Sequence, residues 1–332
     1  MKSWKLVLGA IICIGIGLVG GHFLDRTKIV KQIVTPHKST EVRLAGYRFI
    51  NPLLECEQST EDLQTLLHGF KSTITTVVQN HINAGDVSTA AVYFRDLNDG
   101  PWFGINEDTQ FSPASLLKIP LLMAYLKQAD SDPTILAKTI SFQVPVNYDT
   151  NQTIVPQEKL EIGKNYTIEQ LLEYMTEDSS NNATYFLFNY LNNSVINQVY
   201  TDLGLVVPTG TVDSYSISVK GYSAFFRYLF NASYLSRQMS ERALELMSHS
   251  AYNDGLVAGV PRSVLVSHKF GERYFVDTGD RQLHDCGIVY YPQNPYLLCI
   301  MTRGKDMSQL SKTISDISSH VYTEVDKQLH SN

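Results

Sequence analysis

The sequence lacks the features that would direct it to nucleic acid or to a metal ion. Its 332 residues carry a formal net charge of -6, and no long basic run follows the N-terminus, so the electrostatic footprint of a nucleic-acid-binding protein is missing. None of its nine histidines forms a His-x-His or His-x-x-x-His pair, and none of its four cysteines has metal-ligand spacing. We therefore expect no nucleic-acid partner, no metal ion and no other cofactor.

Cysteine is too scarce for a disulfide framework. Cys13 falls inside an apolar segment, which leaves an odd number outside it: Cys56, Cys286 and Cys299. The last two flank a turn-like Pro-Gln-Asn-Pro sequence at residues 292–295, and they are either cross-strand neighbours or separately buried small side chains. The sequence leaves their pairing open.

A long apolar run occurs only at the N-terminus. Residues 6–24 carry no formal charge, and at about 1.5 Å per residue they cross most of a hydrocarbon core of roughly 30 Å. Because no small-x-small cleavage site or lipid-accepting cysteine follows, residues 1–24 are predicted to be an uncleaved membrane anchor, with a removed signal sequence as the alternative. Residues 25–45 are polar and predict a linker, and residues 46–332 predict the folded domain.

Periodicity predicts helices at both ends of that domain and an early hairpin. Apolar residues at three- and four-residue spacing over residues 61–82 predict a first amphipathic helix. Residues 89–97 and 101–104 flank Asn98-Asp-Gly100 and predict a β-hairpin. The same helical spacing over residues 308–329 predicts a C-terminal helix.

The middle and the late part of the domain differ in character. Residues 111–202 are predicted to be mostly helical, with a capping-box-like start at Thr167 and another helix start near Asn181. Later runs are rich in β-branched and aromatic residues, and the last three are predicted to pair as a sequential antiparallel meander. These runs are residues 262–269, 274–277, 287–291 and 296–302.

One apolar helix carries a serine and a lysine three residues apart. In Ser112-Pro-Ala-Ser-Leu-Leu-Lys-Ile-Pro120, Ser112 and Pro113 are predicted to cap a helix that is buried on most faces. Ser115 and Lys118 then share one helix face. Loss of hydration disfavours the charged form of Lys118, which would let its amine accept the serine proton. A core serine beside a lysine that reaches out to solvent explains the same pattern, so the motif alone does not distinguish a catalytic pair from a structural one.

Two further motifs follow in order. Ser179-Ser-Asn181 lies 64 residues after Ser115, and Lys269-Phe-Gly271 lies on a predicted late strand. Together the three resemble the S-x-x-K, S-x-N and K-T-G elements of class A β-lactamases and their penicillin-binding relatives, over about residues 87–306. The resemblance implies an α/β fold in the loose α+β sense: a mainly antiparallel sheet flanked by helices, plus a helical lobe, with the active site between sheet and lobe.

The resemblance also implies roles. Ser115 would be the nucleophile, Lys118 its base in acylation, and Ser179 the proton relay to the leaving nitrogen. The backbone N-H groups of Ser115 and Glu272 would hold the oxyanion. Helix capping remains the alternative for the Ser-x-Asn element, and an edge-strand charge the alternative for the lysine of the third motif. The residues implied at the substrate are Asn181, Lys269, Phe270, Gly271 and Glu272.

Three departures from the class A pattern bear on activity. Ser180 stands where class A enzymes usually carry aspartate, and Phe270 replaces the hydroxyl residue of the third motif. Residues 209–220 contain no glutamate, whereas class A enzymes hold there the carboxylate that activates the deacylating water. Asp213 is the only carboxylate in this stretch, and a turn or helix-capping role competes with water activation. Loss of a positioned base predicts deacylation slowed by about 10²- to 10⁴-fold.

These observations predict a membrane-anchored, extracytoplasmic serine hydrolase that forms an acyl-enzyme on Ser115. Its expected partners are a β-lactam or peptidoglycan stem-peptide-like substrate and, through the N-terminal segment, the membrane. Secretion after signal cleavage is the alternative location. A D-alanyl-D-alanine carboxypeptidase or transpeptidase, favoured by Ser180 and the missing glutamate, and a non-turnover β-lactam or peptidoglycan sensor are the alternative functions. The sequence leaves the natural substrate and the oligomeric state open.

Overall fold

A central antiparallel sheet with helices on both faces organises the chain. The computed structural model describes residues 41–43, 46–56, 62–98, 100–143, 146–208 and 215–330, all within the unit Ser39–Asn332. The strands are β1 (Glu41–Arg43), β2 (Leu53–Cys56), β3 (Thr89–Asp96), β4 (Trp102–Ile105), β5 (Gln110–Phe111), β6 (Thr139–Ser141), β7 (Asn165–Thr167), β8 (Ile217–Ser218), β9 (Val266–Phe275), β10 (Asp280–Val289) and β11 (Tyr296–Gly304). The helices are α1 (Asp62–Ala84), α2 (Lys118–Ala129), α3 (Ile168–Thr176), α4 (Asn181–Tyr190), α5 (Asn193–Asp202), α6 (Val219–Phe230), α7 (Arg237–Ser248) and α8 (Met307–His330).

The main sheet has five strands in the order β4-β3-β11-β10-β9. Every neighbouring pair is antiparallel, and β9 lies at one edge. The predicted hairpin is confirmed as β3 and β4, and the predicted late meander is confirmed as β9, β10 and β11. The implied fold, an antiparallel sheet flanked by helices plus a helical lobe, is what the structure has.

The two faces of the sheet pack into two separate cores. Along β3, Ala91 and Tyr93 belong to the core shared with the helical lobe, whereas Val92 and Phe94 belong to the core under α1 and α8. This alternation follows from the two-residue period of a strand that is covered on both sides. The predicted first and last helices are confirmed as α1 and α8, and their apolar stripes fill the second core.

Two element predictions need correction. The segment 111–202 forms α2 to α5, but residues 138–167 within it are not predominantly helical: they carry β6 and β7, a short 3-10 turn and loops. The separate runs predicted at 262–269 and 274–277 are largely one strand, β9. Pairing with β10 continues through Gly271, opposite His284, so glycine does not interrupt the strand.

Cys286 and Cys299 are directly opposite each other on β10 and β11, and they form a disulfide. Both are fully buried in the core shared with the helical lobe. The structure therefore resolves the pairing that the sequence left open.

The described N-terminal residues include β1, which lies inside the predicted linker and pairs with β2. Paired structure therefore begins before the predicted boundary at residue 46. The carboxylate of Glu241 then accepts the backbone N-H groups of Arg48, Phe49 and Ile50.

Within the described residues, no helix is long and apolar enough to span a bilayer. The predicted anchor, most of the linker, Cys13 and Asp213 lie outside those residues.

Candidate active site

The serine of the first motif lies on a short 3-10 helix, Ala114–Leu117, that leads directly into α2. Residues separated by three positions are eclipsed on a 3-10 helix, so this geometry favours the shared face predicted for Ser115 and Lys118. Ala114, immediately before the serine, has a φ of 49°, a left-handed value that a residue with a Cβ rarely adopts. The serine is therefore presented from a tight and locally strained turn.

Pro113 is the N-cap residue of this short helix, as predicted, whereas Ser112 is tied to the sheet and its side chain does not cap the helix. Its hydroxyl accepts a hydrogen bond from Arg273 Nη1 at 3.1 Å, and its backbone N-H donates to Gln282 Oε1 at 3.0 Å. Its carbonyl lies 2.9 Å from His284 Nε2, while Thr302 N-H donates to the other ring nitrogen. Burial lowers the pKa of His284 to about 4, so the ring is neutral and Nε2 carries the proton that reaches the Ser112 carbonyl.

Lys118 is the first residue of α2 and is only 3 % exposed. Its amine lies 2.5 Å from the Ser179 carbonyl oxygen, 3.0 Å from Ser179 Oγ and 2.8 Å from Asn181 Oδ1. The first and second sequence motifs therefore meet at one nitrogen atom. Ser115 lines the same cavity as this lysine and Asn181.

The surroundings of Lys118 favour its neutral form. Burial lowers the pKa of its amine well below the usual value, and the positive charge of Lys269 lowers it further. Asp149 and Glu272 act in the opposite direction and raise it. The balance leaves a lysine whose pKa is strongly depressed, as a proton acceptor near neutral pH requires.

The second motif lies on the approach to α4. Ser179 is fully buried and has a φ of 56°, so a second left-handed residue with a Cβ occurs at this site. Ser180 is the N-cap of α4, and its hydroxyl accepts the backbone N-H of Ala183. The predicted helix start near Asn181 is confirmed, and so is the predicted capping box of α3 at Thr167.

Lys269 lies on β9 and is completely buried. Its amine donates to the Phe270 carbonyl at 3.1 Å and lies 4.1 Å from the centroid of the Phe270 ring. Burial lowers its pKa to about 7, while Asp285 acts to raise it. This lysine is close enough to lower the pKa of Lys118, but it is not among the residues that line the cavity.

Phe270 was expected at the substrate, and its side chain is not there. The ring is 2 % exposed, belongs to the core under α1 and α8, and packs against Tyr252 with a centroid distance of 4.5 Å. The reason is the alternation of the strand, which turns this side chain into the core. The missing hydroxyl of the third motif is thus replaced by a core contact.

Gly271 allows β9 to approach the serine-bearing helix closely. A Cβ at this position would lie 2.8 Å from the Pro113 carbonyl oxygen and 3.1 Å from the Leu116 backbone nitrogen. Glu272 follows and lines the cavity, with its carboxylate accepting the backbone N-H of Ile154 at 2.7 Å. The glycine thus brings together the two segments whose N-H groups are expected to hold the oxyanion.

Replacement of Gly271 by alanine is expected to lower the free energy of unfolding by about 1 to 3 kcal/mol, because the new methyl group overlaps the Pro113 carbonyl oxygen and crowds both the backbone nitrogen and the side chain of the buried Leu116. Gly69→Ala is the matched control. Nothing lies within 4 Å of a Cβ at Gly69, which is inside α1. Alanine there should raise the free energy of unfolding by about 0.5 to 1 kcal/mol, because glycine loses more conformational freedom in a helix. Urea unfolding of both variants measures the difference; equal stabilities would contradict the close approach.

A cavity of about 710 Å³ opens beside these residues. It brings together Ser115, Lys118, Asn181 and Glu272, and the fully buried Ser179 adjoins it through the contact of its hydroxyl with the Lys118 amine. Three aromatic side chains, each 40 to 47 % exposed, form part of its lining: Tyr148, Tyr185 and Phe188. The cavity therefore offers an apolar surface beside a serine and a lysine whose pKa is depressed.

Sequence reasoning missed two charged residues and the aromatic side chains at this site. Arg273 lines the cavity, Asp149 accepts hydrogen bonds at the start of α4, and Tyr148 forms part of the aromatic surface. Arg273 directly follows Glu272, so its adjacency to the third motif was an available signal. Asp149 and its neighbour belong to a polar loop with no motif of their own, and nothing local in the sequence marks them.

The fold and the meeting of the three motif segments define a class, the β-lactamase and penicillin-binding protein superfamily of serine hydrolases. A family model described as the beta-lactamase enzyme family matches residues 70–325. The chain therefore belongs to the beta-lactamase enzyme family.

Solved structures share the fold at low sequence identity. A mutant of PBP-A in an acyl-enzyme complex with penicillin G is 23 % identical, with a TM-score of 0.64, and the match covers 77 % of this chain and 97 % of that one. A beta-lactamase from Sphaerobacter thermophilus is 19 % identical, with a TM-score of 0.65 and the same coverage. A class A beta-lactamase representative from Bacteroides cellulosilyticus is 18 % identical, with a TM-score of 0.66, covering 77 % and 98 %. The comparison with curated protein sequences returned no match.

Proposed function

We propose that this protein is a membrane-anchored, extracytoplasmic serine hydrolase that acylates Ser115 with β-lactams or related amides and releases the acyl group slowly. The observation that carries the proposal is the buried amine of Lys118, held among the second-motif oxygens in the cavity that Ser115 lines. Family membership supports the serine hydrolase class.

The three partners of Lys118 define a path for a proton. A neutral amine has two N-H donors and one lone pair, whereas the Ser179 carbonyl and Asn181 Oδ1 can only accept. The two donors of a neutral amine can satisfy those oxygens, which leaves its lone pair to accept a proton from a hydroxyl group, either that of Ser179 at 3.0 Å or that of Ser115 in the same cavity. After Lys118 gains a proton, it donates to all three. The same contact thus serves proton transfer in either direction between Lys118 and Ser179.

Acylation of Ser115 proceeds through a tetrahedral intermediate. The Ser115 hydroxyl oxygen attacks the amide carbonyl carbon and its proton passes to Lys118, while the backbone N-H groups of Ser115 and Glu272 stabilise the oxyanion. Collapse of the tetrahedral intermediate breaks the carbon-nitrogen bond. The leaving nitrogen takes its proton from Ser179 Oγ, which is replenished from the amine of Lys118. The product is a serine ester and a neutral lysine.

The slow release of the acyl group follows from the scarcity of carboxylates beside the serine ester. Hydrolysis requires a water molecule and a base that removes its proton. Among the described residues that line the cavity, Glu272 is the one carboxylate, and it already accepts the Ile154 N-H. Asp213 remains the candidate for a water-activating role from the sequence.

Two observations support the location and the substrate class. The uncharged segment at residues 6–24 is long enough for an anchor, which would place the domain outside the membrane. A solved relative, a mutant of PBP-A, forms an acyl-enzyme with penicillin G. The extension to this chain rests on its family and on the cavity that Ser115 and Lys118 share.

The full chain, incubated with a fluorescent penicillin, is expected to gain the mass of one penicillin within minutes and to lose it over hours. Intact-mass spectrometry follows both steps, and peptide mapping locates the adduct on Ser115. Absence of any adduct would contradict the proposal. An adduct that never leaves would favour the penicillin-binding or sensor functions, and rapid release would require an efficient water-activating group, with Asp213→Asn as the next variant.

A further inference from the structure

The carboxylate of Asp149 is the centre of a dense hydrogen-bond network at the second motif. This residue lies on the 3-10 turn that precedes the motif by about thirty residues, and it is 4 % exposed. Its Oδ1 accepts the backbone N-H groups of Asn181 at 2.6 Å and of Asn182 at 3.0 Å. Its Oδ2 accepts Asn182 Nδ2 at 2.7 Å, and the Ser180 hydroxyl lies 3.2 Å from both oxygens. Four donors thus converge on one buried carboxylate.

These contacts are those that a helix start requires. The first N-H groups of α4 have no partner inside the helix, and the partial positive charge at a helix N-terminus favours an anion. Desolvation of a carboxylate is costly unless charge-assisted hydrogen bonds replace the lost water. Asp149 satisfies both requirements, because it accepts from the backbone of the first two residues of α4.

The helix start carries the groups that touch Lys118. Asn181 Oδ1 and Ser179 Oγ, on either side of Ser180, are within 3.0 Å of the lysine amine. A charge effect connects the same residues. Asp149 and Glu272 raise the pKa of Lys118, against the stronger lowering by burial and by Lys269.

We propose that Asp149 is the positioning residue of the Ser179-x-Asn181 element. From a preceding loop it supplies the carboxylate that a Ser-Asp-Asn sequence carries in its middle position, where this chain has Ser180. It acts through the helix start and sets the geometry of the Ser179 and Asn181 contacts to Lys118. This inference rests on the proposed function of Ser115 and Lys118.

The test compares four full-length variants with the wild type: Asp149→Ala, Asp149→Asn, the double variant Asp149→Ala with Ser180→Asp, and Asp132→Ala. Asp132 is the matched control, because it accepts the backbone N-H of Thr134 at the start of another short helix. Two quantities are measured: the rate of acylation by penicillin, and the pKa of Lys118 from NMR of lysine labelled with ¹³C at Cε. Loss of one resonance in Lys118→Arg assigns the signal.

Asp149→Ala is expected to slow acylation by about 10²-fold, because the second motif loses its position. The double variant returns a carboxylate to the start of α4, where the Ser180 hydroxyl lies 3.2 Å from both Asp149 oxygens in the wild type, and should recover at least about ten-fold. Asp149→Asn should lower the pKa of Lys118, since a charge that raises it is gone. Asp132→Ala should leave both quantities unchanged.

The outcomes separate the two proposals. A wild type that forms no adduct contradicts the proposed function, while the Lys118 titration still tests Asp149. An Asp149→Ala variant that acylates at the wild-type rate overturns the inference. The inference is also overturned if Asp149→Ala slows acylation, the double variant does not recover the rate, and Asp149→Asn leaves the pKa of Lys118 unchanged. That pattern would mean that Asp149 only stabilises the helix start. If Asp149→Ala does not fold, the double variant and Asp149→Asn carry the same decision.

Discussion

Replacement of Ser115 by alanine is expected to abolish the covalent penicillin adduct, a loss of at least about 10³-fold in acylation rate. The substitution removes the only atom of this residue that can form the ester. It leaves the short helix intact, because alanine has a high helix propensity and the serine side chain is half-buried. The free energy of unfolding should change by less than about 1 kcal/mol.

Intact mass after incubation with fluorescent penicillin measures this loss, and urea unfolding verifies the fold. Ser72→Ala is the control, since Ser72 is exposed on α1 and does not line the cavity of Ser115. It should acylate like the wild type. A Ser115→Ala variant that still gains the penicillin mass at the wild-type rate would place the nucleophile elsewhere, and peptide mapping would identify it.

Lys118→Arg is expected to slow acylation by about 10²- to 10⁴-fold although it keeps a positive charge and several donors. Arginine cannot release its proton in the accessible pH range, so it cannot accept one from Ser115. Lys118→Met, which removes the amine and keeps a similar length, should lose a comparable factor. Arginine therefore separates a base from a structural cation, and stopped-flow fluorescence with penicillin measures the rates. A Lys118→Arg variant with a near-wild-type rate would contradict the base role.

The pH dependence of acylation in the wild type should report the same lysine. Acylation requires the neutral amine, so the rate falls as pH drops below the depressed pKa of Lys118. Glu272 raises that pKa, together with Asp149, whereas burial and Lys269 lower it. Glu272→Gln should therefore shift the acid limb to lower pH. An acid limb that moves upward in this variant would show that another group controls the rate.

Local patterns were sufficient to predict most of the elements. The stripes of α1 and α8, the hairpin and the capping box at Thr167 depend on residues close in the chain, where periodicity and turn chemistry act. The resemblance extended the prediction to the site, because it assigned Lys118, Ser179 and Asn181 to one active site although more than sixty residues separate the lysine from the other two, which no local pattern could do.

What could not be predicted depends on long-range packing. Asp149 makes its contacts 31 to 33 residues away in the chain, and its loop has no periodicity. The side chain of Phe270 faces the core because of how the sheet is covered, which the motif does not specify. The disulfide needed the register of β10 against β11, which places Cys286 directly opposite Cys299. Each of these depends on contacts between segments that are distant in the chain rather than on neighbours in sequence.

The left-handed backbone at Ala114 and Ser179 has a further consequence. Neither residue is glycine, so each conformation costs of order 1 to 3 kcal/mol that the surrounding core must offset. One lies directly before the predicted nucleophile, and the other is the predicted relay. A change that relaxed either turn would therefore raise the free energy of unfolding, but it would also displace the groups that the turn orients. Selection for thermal tolerance alone would tend to favour such changes and so lose the activity.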